Sequence, residues 1–216
     1  MEATVSGFLT NTMRVTIVDF GIGNLWSVQS ALRFLDYDSV VSTLPFEVEQ
    51  ADALILPGVG SFRRAMMALH KSNLDEAILE AVKGRGRKIL GICLGMQLLA
   101  DSSTEDGDTQ GLCLISANAR RFDIEAKGLK VPHIGFNQVR SSSRSILFKD
   151  IGSGADFYFV HSYHLPLEGL SGHHGICHYG REFLAAYENE NIFATQFHPE
   201  KSQTNGLRLL KNFLEC

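Results

Sequence analysis

The stretch Lys88–Ala100, KILGICLGMQLLA, narrows the possible folds more than any other part of this chain. Lys88-Ile89-Leu90 is a short apolar run suited to a buried strand, and Met96–Ala100 reads as a helix. Between them stands Gly91-Ile92-Cys93-Leu94-Gly95. A nucleophilic side chain with small residues two positions to either side, where strand gives way to helix, forms an elbow. Its glycines permit a sharp turn that lifts the central side chain out of the sheet. Cys93 is therefore expected at a helix N-terminus, where unpaired N–H groups favour a thiolate and can hold an oxyanion. The competing reading is a buried, inert core cysteine, the usual setting of a free thiol.

The surrounding pattern is that of a three-layer α/β sheet. Arg14–Phe20 is β-branched and apolar, a first buried strand. Asn24 is placed to cap a helix with Leu25, Val28, Leu32 and Leu35 on one face. Gly21 and Gly23 lack the third glycine of a dinucleotide loop, whose place Trp26 holds. Val40–Thr43 and Ala53–Leu56 read as strands, the second leading through Pro57-Gly58-Val59-Gly60 into a helix carrying Phe62, Ala65, Met66 and Leu69. The glycines of that turn can aim N–H groups at a ligand or simply reverse the chain; both readings stay open. Leu74, Ile78 and Ala81 mark another helix before the elbow strand. Sheets of this kind bind ligands at the carboxyl ends of their strands, where Gly23, Gly58 and Cys93 fall.

Beyond Ala100 the rhythm changes. Asp101–Gln110 reads as a polar loop, followed by short extended pieces as far as Arg140 and a surface loop at Ser141–Ser145. Asp156–Tyr163 alternates like a strand, Phe183–Tyr187 and Ile192–Phe197 suggest a hairpin, and Leu207, Leu210, Phe213 and Leu214 give the last helix an apolar face. Thr195–Glu200, TQFHPE, is expected to end a strand in extended conformation, so that His198 and Glu200 project to the same side. Such a pair supplies a base and the carboxylate that orients it; taken alone, it is also an ordinary polar surface turn. The histidines and cysteine at 173, 174, 177 and 178, and the pair His161 and His164, show no two-plus-two ligand spacing, and the former group reads as a solvated loop.

Composition removes several function classes. The 216 residues carry a net charge of −4, which gives nucleic acid no basic footprint. The apolar run Ile89–Ala100 is too short to span a bilayer. Four cysteines without a framework point to a reducing, cytoplasmic setting. Met1–Thr12 lacks the build of a secretory signal. Residues 1–13 are expected to form an extension, and residues 14–216 one domain.

Gly91–Gln97 (GICLGMQ) with Gln196–Glu200 (QFHPE) resembles the signature of class I, triad-type glutamine amidotransferases. Gly23-Asn24-Leu25, LPGVG at 56–60, VPHIGFN at 131–137, YFVHSY at 158–163 and HPEKSQ at 198–203 are similar to the glutaminase subunits of imidazole glycerol phosphate synthases, which serve histidine biosynthesis. The resemblance implies a mostly parallel sheet flanked by helices, with antiparallel strands added in the C-terminal half. It implies a Cys93–His198–Glu200 triad that hydrolyses L-glutamine through a γ-glutamyl thioester. It also implies oxyanion binding by the backbone at Leu94, Val59 and Gly60, and glutamine binding by Gly58, Gln97, His161, Ser162 and Tyr163. Neither cofactor nor metal is implied. The partner would be a separate TIM-barrel cyclase subunit, joined in a heterodimer at a mouth that includes Asn24, Phe136 (tryptophan is usual there), Tyr158 and Lys201. Branched Val59 implies a strand at rest with its N–H turned from the oxyanion, hence low turnover without the partner. Related amidotransferases for anthranilate, aminodeoxychorismate or pyridoxal phosphate, or a stand-alone γ-glutamyl thiol hydrolase, are the alternatives.

Overall fold

The structure, a computed structural model, describes residues 13–124 and 128–216. The extension expected over residues 1–13 thus lies outside the described residues except for Met13. The first half of the chain alternates β1 (Val15–Val18), α1 (Leu25–Phe34), β2 (Ser39–Ser42), α2 (Pro45–Glu49), β3 (Ala53–Gly58), α3 (Phe62–Lys71), α4 (Leu74–Leu79), β4 (Lys88–Cys93) and α5 (Leu94–Leu98). The second half adds β5 (Ala100–Ser103), β6 (Thr109–Gln110), β7 (Ile115–Arg121), β8 (His133–Ser141), β9 (Ala155–His161), β10 (Tyr163–His164), β11 (His173–His178), β12 (Glu182–Asn189), β13 (Ile192–Thr195) and α6 (Gln203–Glu215).

A nine-stranded sheet in the order β2-β1-β3-β4-β13-β12-β11-β8-β9 forms the middle layer. Its strands are parallel from β2 to β13 and antiparallel from there to β9. Alternate residues of one strand serve opposite cores: Val15 and Ile17 pack with Val28 and Leu32 of α1 and Leu209 and Phe213 of α6. Val18 instead joins Leu54, Leu56, Phe62 of α3 and Ile78 of α4. With both faces covered, the parallel strands read as unbroken apolar runs rather than alternating ones.

Three expectations are corrected. The elbow helix begins immediately after Cys93 and stops at Leu98, and the chain re-extends at Ala100 instead of remaining helical. The cause is tertiary: the N–H groups of Leu112, Leu114 and Cys113 bond the carbonyls of Leu98, Leu99 and Ala100 at 2.8, 2.8 and 3.1 Å, which leaves no room for further helical turns. Consequently 101–110 is not a plain loop; it supplies β5 and β6 to a four-stranded sheet ordered β10-β7-β5-β6. The stretch around His173–His178 is strand β11, paired on both sides, rather than a solvated loop. Helix α2 was not expected; Pro45 at its first turn has the fixed φ that starts helices.

Candidate active site

Cys93 is the last residue of β4 and the residue before α5. Its backbone has φ 56° and ψ −109°, a conformation that costs a non-glycine residue about 1–3 kcal/mol. The flanking glycines explain how the strain is held, though not through unusual dihedrals of their own. A Cβ on Gly95 would stand 1.7 Å from the Leu56 carbonyl oxygen, and one on Gly91 2.8 Å from the Gly95 oxygen. They are small so that β3, the elbow and α5 can touch. Gly58 pairs with Cys93 across the β3–β4 ladder and brings the 57–60 turn beside the thiol.

The imidazole follows the neighbouring strand of the sheet. β13 runs parallel to β4 and ends at Thr195, level with Ile92. The chain does not continue extended: Pro199–Lys201 is a single 3-10 turn that folds Glu200 back under His198. His198 Nδ1 lies 2.8 Å from Glu200 Oε1, with both side chains almost wholly buried. Nε2, buried as well, is left for the Cys93 thiol. Burial alone would lower the His198 pKa, but the Cys93 sulfur and the Glu200 carboxylate outweigh it and raise the value to about 9. Two further bonds lock the segment, from the His198 N–H to the Tyr158 carbonyl (2.9 Å) and from Ser202 Oγ to the His198 carbonyl (2.6 Å). The fold thus brings together a thiol, an imidazole and a carboxylate, the three groups that a nucleophile–base–orienter series requires.

Around the thiol lies a pocket of about 310 Å³. Val59, Gly60, Leu94, Gln97, Glu105, His161, Ser162 and Tyr163 line it together with Cys93 and His198. Gly58 is not among its lining residues; it is buried, and a Cβ there would meet Leu94 Cβ at 3.2 Å and the Phe20 ring at 3.3 Å. Glu105 was not singled out from the sequence. Its carboxylate accepts the N–H of Phe62 at 2.8 Å, and burial raises its pKa.

A profile of the family described as "Glutamine amidotransferase class-I" matches residues 16–216. The chain is 47% identical over 203 residues to imidazole glycerol phosphate synthase subunit HisH of Syntrophotalea carbinolica, covering 92% of this chain and 98% of that protein. It is 46% identical over 201 residues to the HisH subunit of Moorella thermoacetica, covering 93% and 94%. The chain belongs to the HisH branch of the class-I glutamine amidotransferases. Among solved structures, the fold is similar to PurLQS from Thermotoga maritima, with TM-score 0.73 at 16% identity over 94% of this chain and 98% of that one. A crystal structure of another glutamine amidotransferase gives 0.72 at 20% identity, covering 93% and 97%.

In this HisH-type chain the remaining expected residues separate into two groups. Gln97 Nε2 donates to the Tyr163 carbonyl and to Gln196 Oε1, both at 3.0 Å. The His161 ring ties the same carbonyl: Nδ1 donates to the Tyr163 oxygen at 2.7 Å, so Nε2 must accept from His133 Nδ1 at 3.0 Å. Burial keeps both imidazoles neutral, lowering His133 to about 4 and His161 to about 3. The second group faces outward. Phe136 and Tyr158 are cross-strand partners on β8 and β9 with ring centroids 5.5 Å apart, and Lys201 Nζ stands 5.9 Å over the Tyr158 ring. Exposed Asn24 caps α1 through Ser27, and α1 packs beside the 199–201 turn. Cys177, by contrast, is a core residue whose thiol is pushed up to about 12 by burial.

Proposed function

We propose that this chain is the glutaminase subunit of an imidazole glycerol phosphate synthase, acting through the Cys93–His198–Glu200 triad. The carrying observation is the buried 2.8 Å His198–Glu200 contact, in the pocket that the Cys93 thiol lines from a strained elbow. The Cys93 sulfur attacks the side-chain carbonyl carbon of glutamine while His198 takes the thiol proton. The tetrahedral oxyanion is received by backbone N–H groups at Leu94 and in the Val59–Gly60 segment. Collapse breaks the C–N bond, His198 returns the proton to the departing ammonia, and a γ-glutamyl thioester remains. Water, deprotonated by the same imidazole, then releases glutamate and the thiol. Glu105 and the Gln97 Oε1 atom, which has no hydrogen of its own, offer acceptors to the substrate's α-ammonium group.

Ammonia in bulk water becomes ammonium and loses its nucleophilic lone pair, so the product has to pass directly to a second active site. The outward group Phe136, Tyr158, Lys201 and Asn24 is assigned to a TIM-barrel cyclase subunit in a cytoplasmic heterodimer. That subunit uses the ammonia to make imidazole glycerol phosphate and aminoimidazole carboxamide ribotide. Branched Val59 keeps turnover low until the cyclase and its nucleotide ligand bind. Ammonia release from glutamine, measured with and without the cyclase, tests the assignment. Cys93→Ala is expected to abolish glutaminase activity while leaving cyclase turnover on added ammonium salts intact. Equal glutaminase rates for Cys93→Ala and the wild type would refute it.

A further inference from the structure

Gln196 is fully buried, directly precedes the Phe197-His198-Pro199-Glu200 segment, and has no part in the triad. Its backbone N–H is fixed to the Ala185 carbonyl on β12 at 2.8 Å, and its side chain reaches back towards the elbow. There Nε2 lies 3.8 Å from Cys93 Sγ. The orientation of this amide follows from chemistry at the other end of the chain of bonds. The Tyr163 carbonyl can only accept, so the Gln97 atom 3.0 Å from it is the NH2 group. The same NH2 group stands 3.0 Å from one terminal atom of Gln196, which must therefore be the oxygen. The NH2 group of Gln196 is left facing sulfur.

We propose that the Gln196 side-chain amide, oriented by Gln97, donates a hydrogen bond to the Cys93 sulfur and stabilises its thiolate form. The proposal deepens the glutaminase reading and rests on it. Dipoles of opposite sense reach the sulfur: the Val160 carbonyl oxygen is also 3.8 Å away, and it suits the thiol, whose S–H it can accept, but repels a thiolate. The amide donor reverses that balance when the proton moves to His198. A donor fixed by buried partners before the reaction needs no reorganisation as charge forms on sulfur. It also joins substrate wall and nucleophile in one series, Tyr163 carbonyl, Gln97, Gln196, Cys93. Glutamine binding against Gln97 and Tyr163 therefore holds the donor in place at the moment the thiolate is used.

The test reads the thiol directly. Iodoacetamide alkylation of Cys93 is followed against pH, with the modified peptide identified by mass spectrometry because Cys113 and Cys216 are exposed. In Gln196→Met, similar in length but without a donor, the midpoint is expected to rise by about one pH unit and the rate near neutrality to fall roughly tenfold. Should that variant fail to fold, the wild type carries a second readout: the Gln196 side-chain amide protons should shift in NMR spectra with the midpoint of Cys93 alkylation, and cease to shift in Cys93→Ser. An unchanged midpoint in folded Gln196→Met, or amide protons indifferent to the thiol, overturns the role of Gln196 alone. A wild-type Cys93 that iodoacetamide never modifies overturns both this role and the glutaminase reading.

Discussion

His198 and Glu200 are two positions apart, yet their meeting depends on the 3-10 turn at Pro199–Lys201 rather than on a strand. In the proposed mechanism the carboxylate fixes Nδ1 as the protonated nitrogen and holds a positive charge on the ring once the thiol proton arrives. Glu200→Gln is therefore expected to lower kcat for glutamine hydrolysis by about two to four orders of magnitude with a much smaller change in KM. Steady-state kinetics check this, and a shift confined to KM would contradict it. At this scale the sequence exposed Cys93 and His198 as candidates, because a glycine-flanked cysteine and a histidine followed by Pro-Glu carry local signals. Glu105 and Gln196 carried none. One is a single acid in a polar stretch and the other a polar residue before an aromatic one; each acquires meaning only from what lies opposite it in space.

Elements show where tertiary contacts overrule local preference. The parallel half was legible as strands and helices because apolar runs and 3.6-residue periodicity repeat there. The β5–β7 region was not, since the carbonyls of Leu98–Ala100 are claimed by the N–H groups of residues 112–115. A comparable device secures the loop after β8. Buried Glu188 on β12 accepts Ser145 Oγ at 2.6 Å and the N–H groups of Ile146 and Leu147 at 2.9 and 3.0 Å. Glu188→Leu leaves those donors without an acceptor, at a cost of about 1–3 kcal/mol for each one that stays buried. A lower urea midpoint is expected with kcat unchanged, because Glu188 pairs with Phe193, level with Leu90 rather than with Cys93. Loss of activity in folded Glu188→Leu would contradict this.

For the whole molecule, three imidazoles gather against the Phe122 ring: His133, His161 and His164, the last fully buried and stacked at 4.3 Å. Burial lowers them to about 4, 3 and 4. In the unfolded chain each binds a proton below about 6.5, while the folded form does not until far lower pH. Unfolding in that interval takes up protons, so stability rises with pH there and falls as pH drops from about 6.5 towards 4. Urea midpoints at pH 5 and pH 7 measure the loss, and His164→Phe should shrink it by about a third. An undiminished difference in that variant would count against the assignment of one proton to His164.

The Tyr158 carbonyl accepts the His198 N–H, its own N–H donates to Ser202 Oγ at 3.0 Å, and it belongs to β9, an edge strand. Cys93, by contrast, is rooted mid-sheet between β3 and β13. The imidazole is thus tied through backbone bonds to a rim strand, while the sulfur is anchored from both neighbours at the centre of the sheet.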